Sequence, residues 1–177
     1  MKNKTAKFSI ASLRFRIFAA LIDGVILIIL YFILSLITGV ILRSLNNRVT
    51  SLGARFPQML VMGVTVLYYT WLIGRYGQTP GKYALGIKVV RLNEDIPGYM
   101  IAFFRWLGYV LNGITCGAGY LVALFNSRRR GLHDYLAGTK VVSVAKASLW
   151  GQIIGILLTV IVILWFLLGL VLYIKGL

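Results

Sequence analysis

Ile17 to Leu42 is one apolar run interrupted by a single acid, Asp23. The run exceeds the roughly 20 residues a helix needs to cross a bilayer. It follows several basic residues, as a signal peptide would, but it is too long for a signal's apolar region and lacks a convincing cleavage site. It is therefore read as a retained helix. A carboxylate in hydrocarbon is costly to keep, which makes Asp23 a candidate functional site by default. Arg16 precedes it in Arg16-Ile-Phe-Ala-Ala-Leu-Ile-Asp23. The two share a helix face but stand roughly 10 Å apart along the axis, so Arg16 is expected to snorkel to the headgroups rather than touch Asp23.

Composition agrees with a membrane protein. Hydrophobic residues make up 59% of the 177-residue chain, and the acids are Asp23, Glu94, Asp95 and Asp134; the mean hydropathy is +0.87. One cysteine, Cys116, excludes an internal disulfide, and with His133 the lone histidine a Cys/His zinc site has too few ligands. No metal or cofactor is expected. A net charge of +15 would point to nucleic acid in a soluble protein. Here the basic residues flank apolar runs in short loops, as on a cytoplasmic membrane face, and nucleic acid is set aside. Each basic residue near an acidic leaflet contributes roughly 1 kcal/mol of attraction. Anionic lipid is thus an expected partner, with Arg128, Arg129 and Arg130 as headgroup contacts.

Two further spans are expected. Pro57 to Gly74 has Pro57 suited to a first helical turn and Tyr68, Tyr69 and Trp71 near an interfacial end. Leu149 to Ile174 has Gln152 as its only strongly polar side chain. Trp106 to Phe125 is apolar enough to span, yet Asn112, Gly113, Thr115, Gly117 and Gly119 near its middle should break it. An internal repeat bears on its course. Tyr83-Ala-Leu-Gly-Ile-Lys-Val-Val90 recurs as Tyr135-Leu-Ala-Gly-Thr-Lys-Val-Val142, and if the two β-favouring runs are neighbouring strands, both lie on one side of the membrane. Charge agrees. If the segment dips and returns, fifteen of the nineteen basic residues lie inside, with Arg43, Arg48, Arg55 and Lys175 outside; if it spans, the split is eleven against eight. The expected fold is therefore all-α: three transmembrane helices, a broken re-entrant helical hairpin packed between them, two short juxtamembrane β-like segments, and the N-terminus cytoplasmic.

Arg16, Asp23 and the run Arg129-Arg130-Gly131-Leu132-His133-Asp134-Tyr135-Leu136-Ala137-Gly138-Thr139 resemble the RDD family of small bacterial membrane proteins, named for one arginine and two aspartates. Gly77-Gln78-Thr79-Pro80-Gly81-Lys82, the following Gly86-Ile87-Lys88-Val89-Val90 and Arg105 add to the likeness, which covers roughly Phe15 to Val142. The resemblance implies that the family's arginine is Arg16 and its aspartates Asp23 and Asp134. It implies a multi-pass protein of the bacterial inner membrane, with residues 1–148 as the family's domain and 149–177 as an added C-terminal transmembrane helix. Some members are associated with exchange of sodium or other monovalent cations for protons.

Burial disfavours the charged form of Asp23, so a proton traded for a cation is one chemistry it offers. Arg105 is the expected charge partner, meeting Asp23 if the hairpin packs on the first helix. The other reading of that pair is purely structural, because a permanently paired carboxylate is a poor proton carrier. Asp134 is expected near the surface, capping a helical turn or bound by Arg128, Arg129 or Arg130. It joins Asp23 in one ion or proton pathway only if the hairpin brings them together. His133, beside three arginines, is expected to be a packing residue rather than a relay.

Gly77-Gln-Thr-Pro-Gly81-Lys82 is too short for a P-loop and has Tyr83 where Ser or Thr is needed. Gly113 to Gly117 and Gly151 to Gly155 are Gly-x-x-x-Gly pairs that permit close helix approach or dimerisation. Glu94 and Asp95 sit in a polar turn, and no enzymatic constellation is evident. Two functions follow: exchange of Na⁺ or K⁺ for protons, in a homo-oligomer or membrane complex because three spans give little room for alternating access, or a non-transporting accessory or scaffold subunit that binds anionic lipid or a membrane partner.

Overall fold

In chain order the elements are β1 (Ser9–Ile10), α1 (Leu13–Ser44), α2 (Ser51–Tyr76), α3 (Pro80–Ala84), β2 (Ile87–Arg91), α4 (Tyr99–Ile114), α5 (Ala118–Leu121), α6 (Leu132–Leu136), β3 (Thr139–Ser143) and α7 (Leu149–Ile174). They come from a computed structural model that describes residues 8–44, 51–115, 118–126 and 128–174. Lys2, Lys4, Lys7, Arg48, Cys116, Gly117, Ser127 and Lys175 lie outside the described residues, as do the side chains of Arg43 and Arg55.

The repeated motif is a structural repeat. In each copy a five-residue helix, α3 or α6, leads through a glycine at positive φ into a strand; φ is +62° at Gly86 and +59° at Gly138. Glycine enters that region without the steric cost a Cβ brings. The strands β2 and β3 pair antiparallel, with Val89 opposite Val141 and Lys88 opposite Val142. A third strand was not expected: β1, only two residues long, pairs with the other edge of β3, giving the order β1-β3-β2.

This small sheet gathers one end of every long helix. β1 leads into α1, α2 returns to it through α3, and α7 leaves it after β3. The core lies here: Ala11, Ala19, Ile73, Leu85, Ile87, Val89, Ala102 and Val141 are buried against one another, with Phe15, Phe18 and Ile22 of α1 packed on them. Every basic side chain that the structure describes, from Arg14 to Lys146, belongs to this end. Away from it, α1 is bare. Phe32, Leu36 and Val40 are more than 60% exposed, and an 18-residue window within Leu13–Ile41 has a mean hydropathy of 2.8. Among the described residues α1 is the helix long and apolar enough to cross a membrane.

β2 precedes α4 and β3 follows α6, so the chain between them leaves the sheet and returns to it. The break falls later than the sequence indicated. Asn112 and Gly113 lie inside α4, which starts at Tyr99 and closes at Thr115. Asn112 fits because its amide is buried against His133, 3.0 Å from Nδ1, and Gly119 of α5 lies where a Cβ would strike that amide. Polarity along α4 is inverted: Arg105, Asn112 and the small Ala102 and Gly108 are buried, while Phe104, Leu111 and Ile114 face outward. Apolar outer faces of this kind are what lipid contact selects.

One further expectation changes. α2 begins at Ser51, so Pro57 lies within the helix rather than in its first turn. The glycine pair of α7 is used inside the chain: a Cβ at Gly155 would collide with the Phe18 ring, and one at Gly151 with the Ala84 carbonyl. It therefore seats α7 on α1 and α3, the close helix approach that such a pair permits.

Candidate functional site

Asp23 is fully buried. One turn earlier on α1, Ala19 is buried and has only a methyl side chain, and Gly81 fits there because a Cβ would run into the Ala19 carbonyl oxygen. Thr79, held extended ahead of Pro80, caps α3 and aims its hydroxyl at α1. The Asp23 carboxylate consequently accepts hydrogen bonds from Thr79 Oγ1 at 2.5 Å, the Gly81 backbone N–H at 2.9 Å and the Tyr68 hydroxyl at 2.9 Å. Lys82 Nζ stands 3.6 Å from its other flank. Both carboxylate oxygens are occupied by charge-assisted bonds from two segments of the fold, α2 and the capped start of α3.

The expected Asp23–Arg105 pair does not form. Arg105 lies on the buried face of α4 toward α6, and its Nη1 bonds Asp134 and the Thr139 hydroxyl, while Nε donates to Tyr109 at 3.0 Å. Nor does Arg16 snorkel. It turns inward, donating from Nη1 to Asp134 at 3.1 Å and to the Arg129 carbonyl at 2.6 Å, and from Nη2 to the Val141 carbonyl at 3.3 Å. The sequence distance from Asp23 excluded one contact but not an acid arriving from α6.

Asp134 is likewise fully buried rather than near the surface. It does cap α6, accepting the Gly131 N–H at 3.0 Å, half of a capping box. Burial by itself pushes this carboxyl up, but the Arg105 and Arg16 guanidiniums outweigh it and hold the group down at about 2. His133 is pushed down to about 3, first by burial and then by the charge of Arg105, so it is neutral at physiological pH and serves packing. Of the basic cluster, Arg128 and Arg129 are exposed. Arg130 is not a headgroup contact: it is buried, with Nε donating to the Thr139 carbonyl at 2.9 Å and Nη2 to the Asp134 carbonyl at 3.0 Å. The Glu94–Asp95 turn holds an ion pair of Glu94 with Lys140 at 3.1 Å.

The two centres correspond through the repeat. Fifty-two residues separate its copies, so Gln78 corresponds to Arg130 and Lys82 to Asp134. Gln78 Nε2 donates to the Ile87 carbonyl just as Arg130 Nε donates to that of Thr139, its equivalent. Sequence reading missed Tyr68, Thr79 and Lys82 as partners of Asp23. Extending the repeat backward to position 82 was the signal that would have found the lysine.

Between α1 and the α4–α6 excursion lies a cavity of about 500 Å³, lined in part by Arg16, Lys82, Arg105 and His133, with Ile17, Leu21 and Leu124 opposite in character. None of its lining residues is acidic.

Residues 10–138 match the RDD family. A Bacillus subtilis (strain 168) protein described as "Uncharacterized protein YxaI" is 37% identical over 91 residues, which are 50% of this chain and 60% of that relative. No solved structure matches the chain.

Proposed function

This chain belongs to the RDD family, and from that premise we propose a multi-pass protein of the bacterial inner membrane, with α1, α2 and α7 spanning, the N-terminus and sheet in the cytoplasm, and the α4–α5 excursion re-entering from that side. Its role in this reading is that of a non-catalytic accessory or scaffold subunit that binds anionic lipid through its basic end. One observation carries it: both buried carboxylates are already occupied by fixed donors, while the cations around them outnumber them. Exchange of Na⁺ or K⁺ for protons would require Asp23 to give up an ammonium and three hydrogen bonds in a fully buried site, where each loss is costly. The collected positive charge suits the anionic leaflet instead. The bare apolar outer halves of the helices suit lipid, or partner helices in a homo-oligomer or larger complex.

Reconstitution tests this. In vesicles containing phosphatidylglycerol and an internal pH dye, pulses of Na⁺ or K⁺ are expected to give no pH change above that of empty vesicles, and the purified protein is expected to retain anionic over zwitterionic lipid. A salt-driven pH change in the wild type that vanishes in Asp23→Asn, with assembly intact, would establish exchange in its place.

A further inference from the structure

The buried polar centre is not neutral. Arg16, Lys82, Arg105 and Arg130 face two carboxylates, Asp23 and Asp134, and Arg130 touches only the backbone of the second. Positive charge left over in a buried site is costly unless an anion meets it. Two donors at the start of α1 are also unsatisfied: Ser12 Oγ, just ahead of the helix, and Arg16 Nε are buried and have no hydrogen-bond partner among the described residues. A buried donor without an acceptor carries the full cost of its desolvation.

Three of the four cations border one space, which Ser12 and Arg130 do not line. Arg16, Lys82 and Arg105 line the cavity of about 500 Å³, within the roughly 300–1,000 Å³ usual for small-molecule sites. Ile17, Leu21 and Leu124 give it an apolar wall. A shallower depression that shares Leu13, Ala123 and Leu124 with it adds Ser12, Arg14 and Arg129, so the approach is basic as well. A free anion has no use for the apolar wall, and a neutral lipid chain has none for the cations.

We propose that this cavity holds the phosphate-bearing head of an anionic membrane lipid, its oxygens toward Arg16 and Lys82 and its chain against Ile17, Leu21 and Leu124. Asp134 and Asp23 then act as positioning residues that fix those cations at the wall. The proposal rests on the anionic-lipid reading above and narrows it from a charged surface to one cavity.

Native mass spectrometry of the full chain in detergent tests it, with dioleoyl phosphatidic acid, dioleoyl phosphatidylcholine and inorganic phosphate as probes. Ala20→Trp and Leu124→Trp fill the cavity from exposed positions that make none of the ion pairs, Lys82→Gln removes one cation, and Arg75→Gln/Lys146→Gln alters only the exposed face. The expected result is one tightly held phosphatidic acid per chain. It should weaken roughly tenfold or more in Lys82→Gln and in both tryptophan variants, and remain unchanged in the surface double variant. Wild-type binding retained in both tryptophan variants but lost in the surface variant would overturn the cavity site and leave the broader lipid reading standing. Equal retention of phosphatidylcholine, or no lipid retained, would overturn both. Inorganic phosphate displacing the lipid at comparable concentration would overturn the lipid as occupant.

Discussion

Lys82 and Asp134 occupy equivalent positions in the two copies of the helix–glycine–strand repeat, carry opposite charges, and each meets the opposite charge on α1. Lys82 lies 3.6 Å from Asp23, and Asp134 lies 3.1 Å from Arg16. Two turns of one helix therefore clamp both halves of the repeat, and Arg16, Asp23 and Asp134 are parts of one joint.

Breaking either half of the joint should be costly. Asp23→Ala leaves Lys82, Thr79, Tyr68 and the Gly81 amide facing an empty buried site, for an expected loss of about 3–5 kcal/mol. The double variant Asp23→Asn/Lys82→Met should recover much of it, because no unpaired charge remains. Thermal unfolding in detergent of the single and double variants measures the difference.

Acid should loosen the sheet end in two stages of the same sign. His133 is held down to about 3 in the folded state, so below its ordinary value near 6.5 the unfolded chain takes a proton that the folded chain refuses, and stability falls as pH drops from about 6.5 toward 3. Asp134 is held at about 2; its contribution is present above its ordinary value near 4 and is lost as pH falls through the folded value. The steepest dependence that one such group allows is about 1.4 kcal/mol per pH unit. Unfolding temperatures should decline from pH 7 to pH 4.5, and His133→Asn should flatten that part of the profile.

Gly81 and Gly113 should respond oppositely to a methyl group. A Cβ at Gly81 meets the Ala19 carbonyl and the Asp23 carboxylate, so Gly81→Ala should cost about 1–3 kcal/mol through forced separation of α3 from α1. At Gly113 nothing lies within 4 Å, and alanine in a helix should be neutral or stabilising by up to about 1 kcal/mol. Both are read from the same unfolding transitions.

Arg105→Lys should not behave as a conservative change. The guanidinium reaches Asp134, Thr139 and Tyr109 at once, which a single ammonium on a different stem does not reproduce. A loss of about 2–3 kcal/mol is expected, with increased proteolysis in the stretch from Tyr120 to Leu136.

What could be read in the sequence was what short-range pattern encodes. The apolar runs located α1 and α7 closely, but α2 starts a turn and a half before the expected Pro57 and α4 starts at Tyr99 and ends at Ile114, well short of Phe125; the repeat placed β2 beside β3. The two-residue β1 carries too little pattern to detect. Pairing was the harder matter, because it depends on how α3 and α6 dock. Asp23 was recognised as the buried acid, but its partners come from two segments up to 59 residues away, and Lys82 looked like part of a failed phosphate loop. Arg16 was judged only against Asp23, its neighbour on the helix, when its acid arrives from residue 134.

Double-mutant cycles on unfolding free energy test the clamp most directly. Asp23 with Lys82, and Arg16 with Asp134, should each couple by about 1–3 kcal/mol, while Asp23 with Arg105 should be additive to within about 0.5 kcal/mol. Coupling of Asp23 to Arg105 with none to Lys82 would contradict the arrangement in which one helix holds both halves of the repeat.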